Sequence, residues 1–160
     1  MGKVLSTFRN GFPGAVSRSA DDVILSLRNA SGGPVAFGAP VFLVAGENAC
    51  RAFDAASATS ENFLGIAVRI PDKTPDTYGS NVGTYAPNDP VDILVRGSCV
   101  LAIEGSASVG ASVYVRKSDG KIVAAPGAEG TTVLLPGVTV RTPRDSGRCA
   151  EVTVARRNLL

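Results

Sequence analysis

Apolar and polar positions alternate with a period of two over much of the chain. In Val91, Ile93 and Val95 the odd positions are β-branched and apolar, whereas Asp92 and Arg96 between them are charged. The same register returns in Val109, Ala111, Val113 and Val115, with Ser112, Tyr114 and Arg116 interleaved. Residues that suit a pleated surface, alternating in this way, predict strands with one face on a core. Gly97-Ser98 interrupts the first run as a bulge or bend would. Lys117-Ser118-Asp119-Gly120 ends in Asp-Gly, a hairpin signature because Gly accepts positive φ. Pro87–Val123 therefore reads as a β meander around which the chain is organised. Leu94 departs from the pattern: it is apolar on the otherwise charged face and points to a second buried surface, such as a subunit contact.

The remaining pattern extends the β reading. Met1–Ala20 has no sustained period and carries Phe8, Phe12 and three cations, which predicts an extended arm. Such an arm either covers its own domain or lies along a neighbour. Residues 21–160 then form one β domain. Asp21–Arg28 alternates as a strand, with a helical turn capped by Asp21 as the alternative, and Asn29–Pro34 is a turn. Val35–Val44 is a strand pair or a bent strand, punctuated by Gly38 and Pro40. The Ala-rich Glu47–Ala58 suggests one short helix, and Phe63–Ile70 another strand. Pro71–Pro90 is a long polar loop with Tyr78 and Tyr85 as amphipathic anchors suited to an interface. Thr131–Leu135, Val138–Arg141 and Ala150–Ala155 complete nine or ten strands with at most one helix. The fold class is all-β, a small barrel or sandwich.

Composition narrows the function. At 160 residues the chain suits one compact domain. Charged residues are 19%, and mean hydropathy is +0.18. That is greasy for a small monomer and fits either a partner-facing apolar surface or an efficient β core. A net charge of +2 argues against strong binding to nucleic acid or an anionic membrane. No run approaches a membrane span of about 20 apolar residues, and the start lacks a secretory hydrophobic region. Cys50, Cys99 and Cys149 are far apart and too few to pair completely, which fits buried structural thiols in a reducing compartment. Met1–Ser6 and Asn29-Ala30-Ser31 match the short patterns for myristoylation and glycosylation by chance.

Little chemistry is available. The chain has no histidine, so Ser-His-Asp and Cys-His nucleophile systems and His-ligated zinc are excluded. Glu47, Asp54, Glu61, Glu104 and Glu151 read as solvated faces and strand edges, not as a carboxylate pair. Asp72, Asp76, Asp89 and Asp92 lack the spacing of a calcium loop. Gly105–Gly110 has a P-loop gap, but Ala111-Ser112 stand where Lys-Ser/Thr is required. The residues point to a non-enzymatic domain without metal or cofactor.

The order of several Gly-punctuated segments carries the reading further. Gly11–Arg18 (GFPGAVSR), Val35–Val41 (VAFGAPV), Phe63–Ala67 (FLGIA), Pro90–Gly97 (PVDILVRG), Val109–Val115 (VGASVYV) and Gly147–Val152 (GRCAEV) together resemble the capsid cement, or head decoration, proteins of tailed bacteriophages. The resemblance covers nearly the whole chain. It implies a β-tulip-like barrel or sandwich with an extended N-terminal arm, commonly a homotrimer. Such a protein sits on the outer surface of an icosahedral head, assembled in the host cytoplasm, and clamps neighbouring major capsid protein subunits. Phe12, Pro13, Val16 and Arg18 would then lie on the capsid, and Tyr78, Tyr85 and Leu94 at oligomer or capsid contacts. A head-fibre base, a tail-associated domain or a host-glycan-binding β module are the alternatives. For a glycan module the chain offers only Tyr78, Tyr85 and Tyr114 as stacking side chains beside its phenylalanines, and no tryptophan.

Overall fold

A computed structural model describes residues 9–70 and 83–155. They form eleven strands: β1 (Val16–Asn29), β2 (Val35–Ala36), β3 (Pro40–Leu43), β4 (Ala49–Ala52), β5 (Phe63–Ala67), β6 (Thr84–Tyr85), β7 (Pro90–Ala102), β8 (Ser112–Arg116), β9 (Ile122–Val123), β10 (Thr132–Val140) and β11 (Cys149–Ala155). No helix occurs among the described residues. Glu47–Ala58, expected as a short helix, is instead β4 followed by a turn. Asp54 closes that turn by accepting from the Ser57 hydroxyl at 2.7 Å, so tertiary pairing of β4 with β3 overrides the helix propensity of alanine.

Strands β1, β4, β3, β5 and β7 close into a five-stranded barrel, because β7 pairs with β1 as well as with β5. The second half of β7 continues into an antiparallel sheet, β7-β11-β10-β8-β9. The predicted meander is corrected here. β7 and β8 are consecutive in the chain but not paired; β11 and β10 lie between them, since both edges of β7 are already taken. The predicted Lys117–Gly120 hairpin does form, joining β8 to β9, with the Gly120 N–H donating to the Arg116 carbonyl at 2.8 Å and Gly120 at φ +69°.

Two cores result, sharing one wall. Inside the barrel, Leu27, Val41, Cys50, Leu64, Val91, Ile93 and Val95 pack together, with Phe37 and Tyr85 among them. Between barrel and second sheet lie Phe42, Phe63, Ile66, Leu94, Cys99, Leu101, Val113, Val115, Val152 and Val154. β3, β5 and the first half of β7 therefore bury both faces. That explains why Phe63–Ala67 is apolar throughout: Leu64 and Ala67 face one core, Phe63 and Ile66 the other. Leu94 is the counterpart on β7. It is a second buried surface, as its pattern implied, but the surface belongs to this chain and not to a subunit partner.

Gly97 makes the change of core possible. Before it, odd residues of β7 face the barrel; after it, Cys99, Leu101 and Ile103 face the second core. The pairing with β1 slips at this point, where Val23 opposes Arg96 and Ile24 opposes Leu94, leaving Val95 unmatched. A bulge of one residue reverses the parity of every later side chain. Gly97 sits at φ +132°, a conformation that L residues rarely adopt.

Candidate functional site

The first described residues run through a turn at Pro13-Gly14 into β1 and are tied to the body. The backbone N–H of Asn10 donates to Asp145 Oδ2 at 2.7 Å, and its side-chain amide donates to the carbonyls of Pro143 and Cys149 at 2.9 and 2.7 Å. The N–H groups of Gly14 and Val100 donate to the carbonyls of Val100 and Ala15, at 2.9 and 3.0 Å, and the Arg69 N–H donates to the Gly14 carbonyl at 2.8 Å. A Cβ at Gly14 would strike the Gly38 nitrogen and the Ala67 carbonyl, so the segment lies directly on the backbone beneath it. β1 then begins at Val16, inside the stretch expected as arm. The described part of the arm thus covers its own domain.

Four arm residues were expected to face the capsid. Phe12 is 41% exposed, with the Arg69 guanidinium carbon 5.7 Å from its ring centroid, a cation–π contact. Pro13 is half-buried against Gly38. Val16 packs on the edge of the second core. Arg18 has a side chain 61% exposed and donates from Nε to Glu151 Oε1 at 2.7 Å. A turn at Pro13-Gly14, closed by the Ala15 N–H donating to the Phe12 carbonyl at 3.0 Å, separates Phe12 from Val16 and Arg18 on β1, and Phe12 and Arg18 present the most surface.

Glu151 corrects its expected place on a solvated face: only 7% exposed, it lies in the middle of β11. Besides Arg18 it accepts from the Ser17 hydroxyl at 3.0 Å. The Arg18 hydrogen bond holds its carboxyl below the usual range, against the opposing effect of burial. A buried carboxylate retained by two residues of β1 fastens the start of that strand to the sheet. Nothing in the sequence pattern announces the pair, because Arg18 and Glu151 are far apart in the chain.

The three residues expected at oligomer or capsid contacts separate. Tyr78 lies outside the described residues. Tyr85 is fully buried: its hydroxyl donates to the Val68 carbonyl at 2.6 Å and its ring meets Phe37 edge-on at 5.4 Å. Burial pushes its hydroxyl up to about 12. Leu94 is likewise fully buried. A side chain without accessible surface has none to give a partner, so Tyr85 and Leu94 are corrected to core residues. Asn29 of the chance glycosylation match is also buried, its amide donating to the carbonyls of Gly33, Tyr85 and Ala86.

The thiols of Cys50 and Cys99 are buried and pushed up to about 11 and about 12 by desolvation, so they are protonated at neutral pH. Among the described residues no group of three or more Cys, Asp or Glu is placed to hold a metal ion. A charged notch of about 390 Å³ gathers Arg18, Asp21, Asp22, Arg96 and Arg141 around Gly97, with Arg96 ion-paired to Asp21. Val23 and Ile24, next to it on β1, are exposed apolar residues.

Comparison with known proteins completes this description. Among solved structures, the fold is similar to a chain in the capsid of Myoviridae phage XM1, with a TM-score of 0.72 and 18% identity, covering 95% of this chain and 94% of that one. The head fibre gp8.5 N base of bacteriophage phi29 aligns at a TM-score of 0.43 and 13% identity, over 88% of this chain and 99% of that one. No curated protein matches. The family model described as structural cement protein (E217 gp24/Pam3 gp6) matches residues 3–155. The chain therefore belongs to the phage structural cement protein family, a family of capsid-associated structural proteins.

Proposed function

We propose that this protein attaches to the outer surface of the phage head as a homotrimer and bridges neighbouring major capsid protein subunits. The arm, residues 1–20, is the capsid-binding element, with Phe12, Pro13, Val16 and Arg18 in contact. The observation that carries this reading is the pose of Phe12: an exposed aromatic ring on backbone already pinned to the body at Asn10 and Gly14. A pre-ordered aromatic anchor loses little conformational entropy on binding, which is how a few residues come to dominate an interface. Tyr78 adds a second contact from the loop 71–90. Many copies on one lattice multiply weak contacts through effective concentration. The protein performs no catalysis in this reading.

The test is binding of purified protein to expanded heads that lack it. Phe12→Asp should weaken binding at least ten-fold while the unfolding midpoint stays unchanged. Wild-type affinity in that variant would remove Phe12 from the interface, and failure of the wild type to bind heads would overturn the proposal.

A further inference from the structure

Asn10-Gly11 is the one Asn-Gly pair in the sequence, and it stands where the first described residues are fastened to the body. Every hydrogen-bond donor of Asn10 is used. Its backbone N–H goes to Asp145 Oδ2, and its amide donates to the carbonyls of Pro143 and Cys149. Asp145 holds the turn before β11 with its other oxygen, Oδ1 accepting from the Cys149 N–H at 2.9 Å. Gly11 is different. Its N–H has no acceptor among the described residues. Its φ of +122°, with Val100 Cγ2 only 3.3 Å from where a Cβ would stand, keeps the position free of a side chain.

An Asn followed by Gly carries a reaction of its own. The Gly nitrogen attacks the Asn side-chain carbonyl carbon, and the Cγ–Nδ2 bond breaks. The proton shed by the attacking nitrogen leaves with Nδ2 as ammonia, and a five-membered succinimide remains. Water then opens the ring to aspartate or isoaspartate. Gly favours the attack because no side chain crowds its nitrogen. Ring closure requires the Asn amide to leave its partners, and in the docked pose both amide hydrogens are committed to carbonyls. The nucleophile is therefore unengaged while the leaving group is held.

We propose that Asn10 is a deamidation site that acts as a one-way latch on the arm. While the segment is docked, its hydrogen bonds suppress ring closure; when it lifts, the reaction runs at the rate of an open chain. The product cannot return to the same place. An aspartate at residue 10 has no amide hydrogen to give. It would set a negative charge beside Asp145 and among the Pro143 and Cys149 carbonyls, leaving those acceptors unpaired and the two carboxylates in repulsion. Isoaspartate also lengthens the main chain by one carbon ahead of Gly14, out of step with the bonds that Gly14 and Ala15 make to Val100. A reversible opening becomes permanent. Its consequence for head attachment, loss of the pinned Phe12 pose, rests on the function proposed above; the chemistry at Asn10 does not.

Peptide mapping of the full chain, aged in mildly alkaline buffer, tests this. Aspartate and isoaspartate should accumulate at residue 10, roughly ten-fold or more slowly in the folded protein than in denaturing urea. Asp145→Ala, which removes the acceptor of the Asn10 N–H, should raise the folded rate several-fold. The effect of the product is read by hydrogen exchange at Gly14 and Val100, whose N–H groups bond across the docked segment. Asn10→Asp should lose protection there beyond Asn10→Ala, and the difference should vanish once the aspartate is protonated, below about pH 4. Equal rates in buffer and urea, no product at residue 10 in urea, or an unchanged rate in folded Asp145→Ala would each overturn the inference. So would an Asn10→Asp variant no less protected than Asn10→Ala. If Asp145→Ala does not fold, the urea comparison and the two Asn10 variants decide without it. All are read on free protein, so this inference and the reading of head attachment fail separately.

Discussion

Leu94 and Glu151 show what a single position can conceal. Leu94 has a charged residue close to it on each side in the chain and no accessible surface in the fold. We expect Leu94→Ala to cost about 2–5 kcal/mol in chemical unfolding and to leave the number of associated chains unchanged. A change of oligomeric state without loss of stability would return it to an interface. Glu151 makes a prediction about acid. Its folded pKa is held below its ordinary 4.5, so the stabilisation it provides is complete above that pH and is lost as the pH falls through the lowered value. Glu151→Gln should cost about 1 kcal/mol at pH 7, with the gap between variant and wild type closing as the pH falls below 4.5. Urea titrations at pH 7 and pH 3 read both terms.

At the scale of elements, β7 decides the architecture. It is thirteen residues long and serves as barrel wall in one half and sheet strand in the other. The bulge at Gly97 lets one strand feed two cores. Gly97→Ala would force an L residue to φ +132° and drive its Cβ into Asp22 Oδ1. We expect a loss of about 2–3 kcal/mol, with the lost hydrogen-exchange protection spread over β1 and β7. Protection lost only locally would mean that the bulge is not what joins the two cores. The continuous apolar runs of β3 and β5 were legible as buried strands. Which neighbours they took was not, since strand pairing depends on contacts remote in sequence. The Ala-rich segment misled for the same reason: propensity is local, and the pairing of β4 with β3 is not.

At the scale of the molecule, a rigid double core carries a short set of surface features: the Phe12 pose, the charged notch around Gly97 and the exposed pair Val23 and Ile24 on β1. The arm is less separable than its sequence suggested. Asn10 bonds Asp145, and Val16 and Arg18 pair with Cys99 and Ser98. Truncation through residue 19 would therefore damage β1 as well as the arm, and point substitutions at Phe12 are the sharper probe. Light scattering with size exclusion should show an assembly of three chains, and a clean monomer at high concentration would count against the trimeric cement arrangement. Phe12→Asp should leave that assembly intact, because the proposed role of Phe12 is toward the capsid.

The sequence by itself determined the all-β class, most strand positions, the Gly97 irregularity and the resemblance to phage cement proteins. All of these rest on local periodicity and on the order of glycine-marked segments. Tertiary structure alone decided that β7 is shared between two cores, that Tyr85 and Leu94 are interior, that Glu151 is a buried clasp for Arg18, and that Val23 and Ile24 are exposed. The physical reason is common to all four. Alternation records which side of a strand is apolar, whereas burial depends on what lies against that side, and in a closed barrel with a second sheet the answer comes from residues far along the chain.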